Sequence, residues 1–173
     1  MDLFETMAEV IDARSFSSLW YWIAVATVWS SATHWILGIP WDVVHRARSD
    51  PAAAADLQDL ARVNVNRVLR VSRVAGAAAS GVTAALLTLL AITGFLYGSE
   101  FAQAVFLLAA PATAAAMLAV RAARAIAADA ATGPALVAHL VRLRRQVQAI
   151  AIVAIFVSAM YGMFWNLAVG PFG

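Results

Sequence analysis

Four stretches of this chain carry no Asp, Glu, Lys or Arg: residues 17–39, 74–97, 101–120 and 147–169. Each is mostly apolar and reaches the roughly 20 residues that a helix needs to cross a bilayer whose hydrocarbon core is about 30 Å thick. In lipid the backbone must satisfy its own hydrogen bonds, so runs of this length are read as helices. Composition agrees: 63% of the 173 residues are hydrophobic and only 13% charged, against about 25% charged in soluble domains. The expected fold is all-α, a single polytopic membrane domain with four transmembrane helices.

Orientation follows from the arginines, because positive charge concentrates in cytoplasmic loops. Segment 40–73 holds Arg46, Arg48, Arg62, Arg67, Arg70 and Arg73, and segment 121–146 holds Arg121, Arg124, Arg142, Arg144 and Arg145. The N-terminal tail has Asp2, Glu5, Glu9 and Asp12 against Arg14 alone, and the turn at 98–100 carries only Glu100. Both termini are expected on the periplasmic side of a bacterial inner membrane, with both long loops in the cytoplasm. Tryptophan and tyrosine gather at membrane interfaces. Trp20, Tyr21, Trp22, Tyr97, Phe101, Tyr161 and Trp165 then mark the outer level, and Trp35 and Trp41 the inner one.

The connections read as helical. Asp50 followed by Pro51 is an N-cap and first-turn signal, and nothing firmly stops a helix before Tyr97. Such a helix is about 70 Å long at 1.5 Å per residue, roughly half of it beyond the bilayer. In the projecting half Asp56, Asp59, Arg62, Asn66, Arg70 and Arg73 fall on one side, and Leu57, Leu60, Val65, Val68, Leu69 and Val71 on the other. Gly133 and Pro134 break the second loop, after which "ALVAHLVRLRRQ" leads into the last span. The apolar faces of the two extensions are expected to pack together below the membrane. Residues 1–14 are also amphipathic, with Leu3, Phe4, Met7, Val10 and Ile11 at helical spacing, and are expected to lie along the outer interface. They lack the basic start of a secretory signal, so their retention is expected.

Chemistry is sparse. The chain has no cysteine, which excludes disulfides, thiolate catalysis and cysteine-held metal centres within it. Empty spans argue against a proton relay or ion-coupled transport, and no nucleotide-binding, zinc-protease or hydrolase motif occurs. No enzyme is expected, and a net charge of +2 with arginines beside spans points to lipid rather than nucleic acid.

The sharpest candidate is the stretch around His34. At helical spacing Thr27, Ser30, Ser31, His34 and Gly38 share one face of the first span, which Pro40 is expected to end. Buried polar groups in lipid need partners, so this face is expected to meet the bundle or a neighbouring protein. A ring ligand is the alternative: haem or bacteriochlorophyll on His34, or a quinone bonded by His34 between Trp29 and Trp35. Haem with two histidines needs a second one at matching depth, and His45 and His139 lie in the extensions. Helix packing with no cofactor is the main reading.

In the second span Gly76 with Ser80 and Ala77 with Gly81 have small-xxx-small spacing, suited to close helix contact inside the bundle or with a partner. Pro111 is expected to kink the third span, and Gln103 and Asn166 to make interhelical hydrogen bonds. Arg62, Arg67, Arg70, Arg73, Arg142, Arg144 and Arg145 are candidates for anionic lipid or an acidic partner, at about 1 kcal/mol each near an anionic leaflet.

The stretches "DARSFSSLWYWIAVATVWSSATHWILGIPWDVVHRA", "DLARVNVNRVL" and "GSEFAQAVFLLAAP" resemble a family of small membrane proteins from Rhodobacter-like alphaproteobacteria. Members are often labelled automatically as a component of the Suf iron–sulfur assembly complex. The resemblance implies a bacterial inner-membrane protein and supplies no catalytic residues. The resulting expectation is a non-catalytic accessory or scaffolding subunit of a larger respiratory or photosynthetic membrane complex. Two rivals are a small homo-oligomeric channel or transporter for an uncharged solute, with Thr27, Ser30 and Ser31 on its path and Pro111 as hinge, and a pigment- or quinone-binding protein through His34.

Overall fold

A computed structural model of the chain describes Phe16 and residues 18–169; the expected interfacial helix at 1–14 lies outside the described residues. In chain order the elements are α1 (Leu19–His34), a hairpin of β1 (Trp35–Ile36) and β2 (Ile39–Pro40), α2 (Trp41–Arg46), α3 (Pro51–Ala91) continuing into a π-helical turn (Ile92–Leu96), α4 (Glu100–Ala128) and α5 (Gly133–Val169). The architecture is all-helical apart from the short hairpin. Among the described residues three helices, those starting at Pro51, Glu100 and Gly133, are long and apolar enough to cross a membrane.

The start and stop signals act as their chemistry requires. The Asp50 side chain accepts from the Ala52 amide at 2.9 Å, with Pro51 in the first turn. From there 46 residues run unbroken to Leu96, about 69 Å at the α-helical rise. The last turn widens where Gly94 presses against α4: a Cβ there would stand 3.0 Å from the Gln103 backbone nitrogen. Gln103 is buried and its Nε2 donates to the Gly94 carbonyl at 2.8 Å, the interhelical bond expected of it. Helix α4 passes through Pro111 without interruption, and the Thr113 hydroxyl donates to the Ala109 carbonyl at 2.8 Å. Between α4 and α5, Ala130 and Gly133 take φ of +44° and +51°. His139 Nε2 lies 3.1 Å from Asp129 Oδ2 across that turn.

The first helix is shorter than its apolar run. It ends at His34 rather than at Pro40, and its 16 residues fall short of the length set by the other three. The chain reverses at Leu37 and Gly38, both with positive φ (54° and 74°), as two-residue hairpins require. Gly38 is doubly constrained, since a Cβ would also meet the Asn64 Oδ1 at 3.2 Å. Gly38 therefore does not share a helical face with Thr27, Ser30, Ser31 and His34. Pro40, which has no N–H to give a ladder, instead precedes the first turn of α2.

The core sits in the arginine-rich half. Leu57, Ala61 and Val65 of α3 are buried in one cluster with Ala123 and Ile126 of α4 and Leu136, Leu140 and Leu143 of α5. The hairpin and α2 insert Ile36, Ile39 and Val44 into the same cluster. The two extensions do pack by their apolar faces. Leu60 and Val71 are an exception at 39% and 59% exposed, because the packed stripe of α3 runs through Ala53, Leu57, Ala61, Val65 and Val68 and leaves both off it. The spanning parts are far less covered: only 6% of the most apolar stretch of α3 is buried, 17% of that of α4 and 28% of that of α5.

Candidate functional site

Three places carry the polar and aromatic side chains, and each is built by a different part of the fold. At the end where α3 turns into α4, Glu100 is the only acidic group of its surroundings among the described residues. Its Oε1 accepts the Phe16 backbone N–H at 2.7 Å and its Oε2 accepts the Trp165 indole N–H at 3.1 Å. The Trp22 indole in turn donates to the Phe16 carbonyl at 3.0 Å. Phe16 packs edge-on against Tyr21 and Tyr161, with centroids 5.4 and 5.5 Å apart, and Tyr161 stacks on Trp165. Phe16 fits because residue 162 is glycine, where a Cβ would approach the Phe16 Cβ at 3.1 Å and its ring at 3.4 Å. The charge-assisted bonds of Glu100 thus tie the segment before α1 to the end of α5. Among the sequence signals only its solitary charge within an aromatic level pointed to it; Gly162 and Gly94 are further residues that the reading of the sequence missed.

The second place is the one marked by Trp29 and Trp35. Both line a recess of about 230 Å³ with Val28, Ala32, Ile36 and Leu37, closed by Ala112, Ala115, Ala116 and Ala119 of α4 and Leu143 and Val147 of α5. All of these side chains are apolar or indole. His34 is not among them. It is exposed, touching Trp35 edge-on at 5.7 Å, and among the described residues its imidazole makes no hydrogen bond. The Ser30 carbonyl accepts from the Thr33 hydroxyl at 3.2 Å, and no side-chain bond joins Ser30 to His34. The structure therefore places the histidine outside the tryptophan-lined recess.

What does come together is the outward face of α1. Thr27, Ser30, Ser31 and His34 are all exposed, while Val25 and Trp29 on the other side are buried. Among the described residues the hydroxyls of Thr27, Ser30 and Ser31 have no hydrogen-bond partner. On α3, Gly76 is half-buried on the side that meets α4, whereas Ser80 and Gly81 are exposed and nothing lies within 4 Å of a Cβ at Gly81. The Ser80–Gly81 side of the small-residue run thus does not pack inside this chain, while its Gly76 side does in part.

The third place is the arginine-rich end. Arg62 pairs with Asp59 at 3.3 Å, and Arg73 Nε reaches the Leu69 carbonyl at 3.5 Å. Arg144 is turned inward, its guanidinium 4.0 Å above the Trp41 ring, so it locks α2 to α5 rather than reaching outward. Arg124 joins α4 to α3 through the Ser72 hydroxyl at 3.2 Å. Arg67, Arg70, Arg142 and Arg145 are exposed, with no carboxylate within 4 Å among the described residues.

No family model, curated protein or solved structure matches this chain.

Proposed function

We propose that the protein is a non-catalytic integral membrane subunit that docks sideways, through the outward face of α1, onto a larger complex of the bacterial inner membrane. The observation that carries this reading is the stripe of Thr27, Ser30, Ser31 and His34. Helix α1 lies along α5 at the level of its last span, from Phe16 and Tyr21 near Tyr161 down to Trp29 beside Val147. A helix held at that level and carrying four polar side chains on its open face exposes them to acyl chains unless another protein covers them. The open Ser80–Gly81 face of α3 supplies a second surface on which a helix can approach closely.

In this reading α1 is a fourth, short span that the hairpin at Trp35–Pro40 ends at the inner interface. The eleven arginines from Arg46 onward lie on the cytoplasmic side, and both termini are periplasmic with residues 1–14 at the outer interface. The resemblance noted in the sequence fits an inner-membrane location. The rival homo-oligomeric channel reading needs several copies to bring Thr27, Ser30 and Ser31 together, because these residues face outward and line no passage within one copy.

A paired substitution tests the docking. Purified from native membranes in mild detergent, the wild-type chain is expected to migrate with a larger assembly. Ser30→Leu with His34→Leu, which removes two of the four polar side chains of the stripe without touching the core, is expected to shift at least about tenfold more of the protein to the free form, the equivalent of about 1.4 kcal/mol. Migration of both forms only as a monomer or homodimer would sink the proposal.

A further inference from the structure

A groove of about 440 Å³ runs between α4 and α5 on the side away from α1, lined only by apolar side chains, among them Phe106, Ala110 and Pro111 of α4 and Val153 and Val157 of α5. It lies within the apolar spans, and among the described residues only α4 and α5 line it. The two helices are antiparallel, so Phe106 is level with Val157 and Ala110 with Val153. Eleven residues make just over three complete turns. Counting eleven inward from Ala110 gives Arg121, and eleven inward from Val153 gives Arg142. The two arginines are therefore level with each other, on the groove's own face, about 16 Å below it by the helical rise. Both are exposed, and neither has a carboxylate within 4 Å among the described residues.

We propose that this groove and arginine pair form a site for one anionic phospholipid of the inner leaflet. An acyl chain lies in the groove, and the headgroup phosphate is held by the Arg121 and Arg142 guanidinium groups. The separation supports this occupant, since about 16 Å is close to half of a hydrocarbon core about 30 Å thick. It places the groove at the depth of the chain ends and the arginines at the phosphate level. Guanidinium groups match phosphate oxygens in charge and geometry. A zwitterionic lipid offers the same phosphate but sets a cationic ammonium group beside it, which opposes the two guanidinium groups, and a protein helix would need a partner that is apolar in the groove and acidic at one depth only.

The site rests on the membrane placement given above but not on docking through α1, so it is tested on the isolated protein. The protein is placed in nanodiscs of phosphatidylcholine and titrated with phosphatidylglycerol, and bound lipid is counted by native mass spectrometry. Wild type is expected to retain one phosphatidylglycerol. Arg121→Ala with Arg142→Ala is expected to weaken that binding about 30-fold, from about 1 kcal/mol per arginine. Ala110→Phe, which fills the groove, is expected to abolish retention with both arginines intact, and glycerol phosphate without acyl chains is expected not to bind. Arg67→Ala with Arg70→Ala removes the same charge elsewhere and is expected to leave retention unchanged. Equal retention by the Arg121/Arg142 variant, equal loss in the Arg67/Arg70 variant, or unchanged retention by Ala110→Phe would each overturn the proposal.

Discussion

Truncating Leu140 to alanine is expected to lower the stability of the purified protein by about 2–5 kcal/mol, the range for emptying a packed leucine site. Leu140 is 0% exposed and sits where α3, α4 and α5 converge with the hairpin. Its neighbours Leu136, Leu143, Ala123 and Ile126 come from backbones that are all fixed by other contacts, so collapse into the void is limited. The same substitution at Leu86, 54% exposed on the spanning half of α3, is expected to change stability little, because lipid tails are as apolar as the leucine they replace. Thermal unfolding in one detergent, read by circular dichroism, compares the two. Equal losses at both positions would mean that the arginine-rich end is not the structural core.

Glutamine at position 100 is the second large perturbation. Both carboxylate oxygens of Glu100 accept N–H donors, one from Phe16 and one from Trp165. An amide keeps one acceptor and turns its NH2 toward the other donor, so one charge-assisted bond becomes a contact between donors. Bonds to charged groups are worth about 1.5–3 kcal/mol, and a loss of that order is expected in the attachment of the segment around Phe16. Hydrogen exchange at the Phe16 amide should accelerate accordingly. Combining Glu100→Gln with Trp165→Phe should cost less than the sum of the two single changes, since both act on one network. Unchanged exchange at Phe16 in the glutamine variant would show that the carboxylate does not hold the segment.

The long helices were legible because their signals are local. Asp50–Pro51 starts one, Gly133–Pro134 separates two others, and the leucines of the extensions recur at helical spacing. The end of α1 was not legible, because the apolar pattern continues smoothly from His34 to Pro40. The turn there also depends on Leu37 holding a positive φ, which no leucine advertises. Periodicity placed Thr27, Ser30, Ser31 and His34 on one face, but it could not say that the face would turn outward while Trp29 faced the core. That choice is made by α4 and α5, far along the chain, where the α4 alanines from Ala112 to Ala119 and Leu143 and Val147 of α5 receive the tryptophan edge of α1. Glu100 was visible only as a solitary charge, since its partners lie 84 and 65 residues distant in the chain. Arg144 read as one more cytoplasmic charge until Trp41 was placed beneath it.

Docking predicts that the outward face of α1 meets another protein within the membrane, and a photo-crosslinking amino acid at Ser31, activated in intact cells, reads that contact, with the same probe at Val25 on the buried side as reference. Expected are an adduct from Ser31 whose mass exceeds that of the chain and differs from a homodimer, suppressed when His34 and Ser30 are both leucine, and only intrachain products from Val25. Lipid adducts alone, or a homodimer alone, from Ser31 would contradict it.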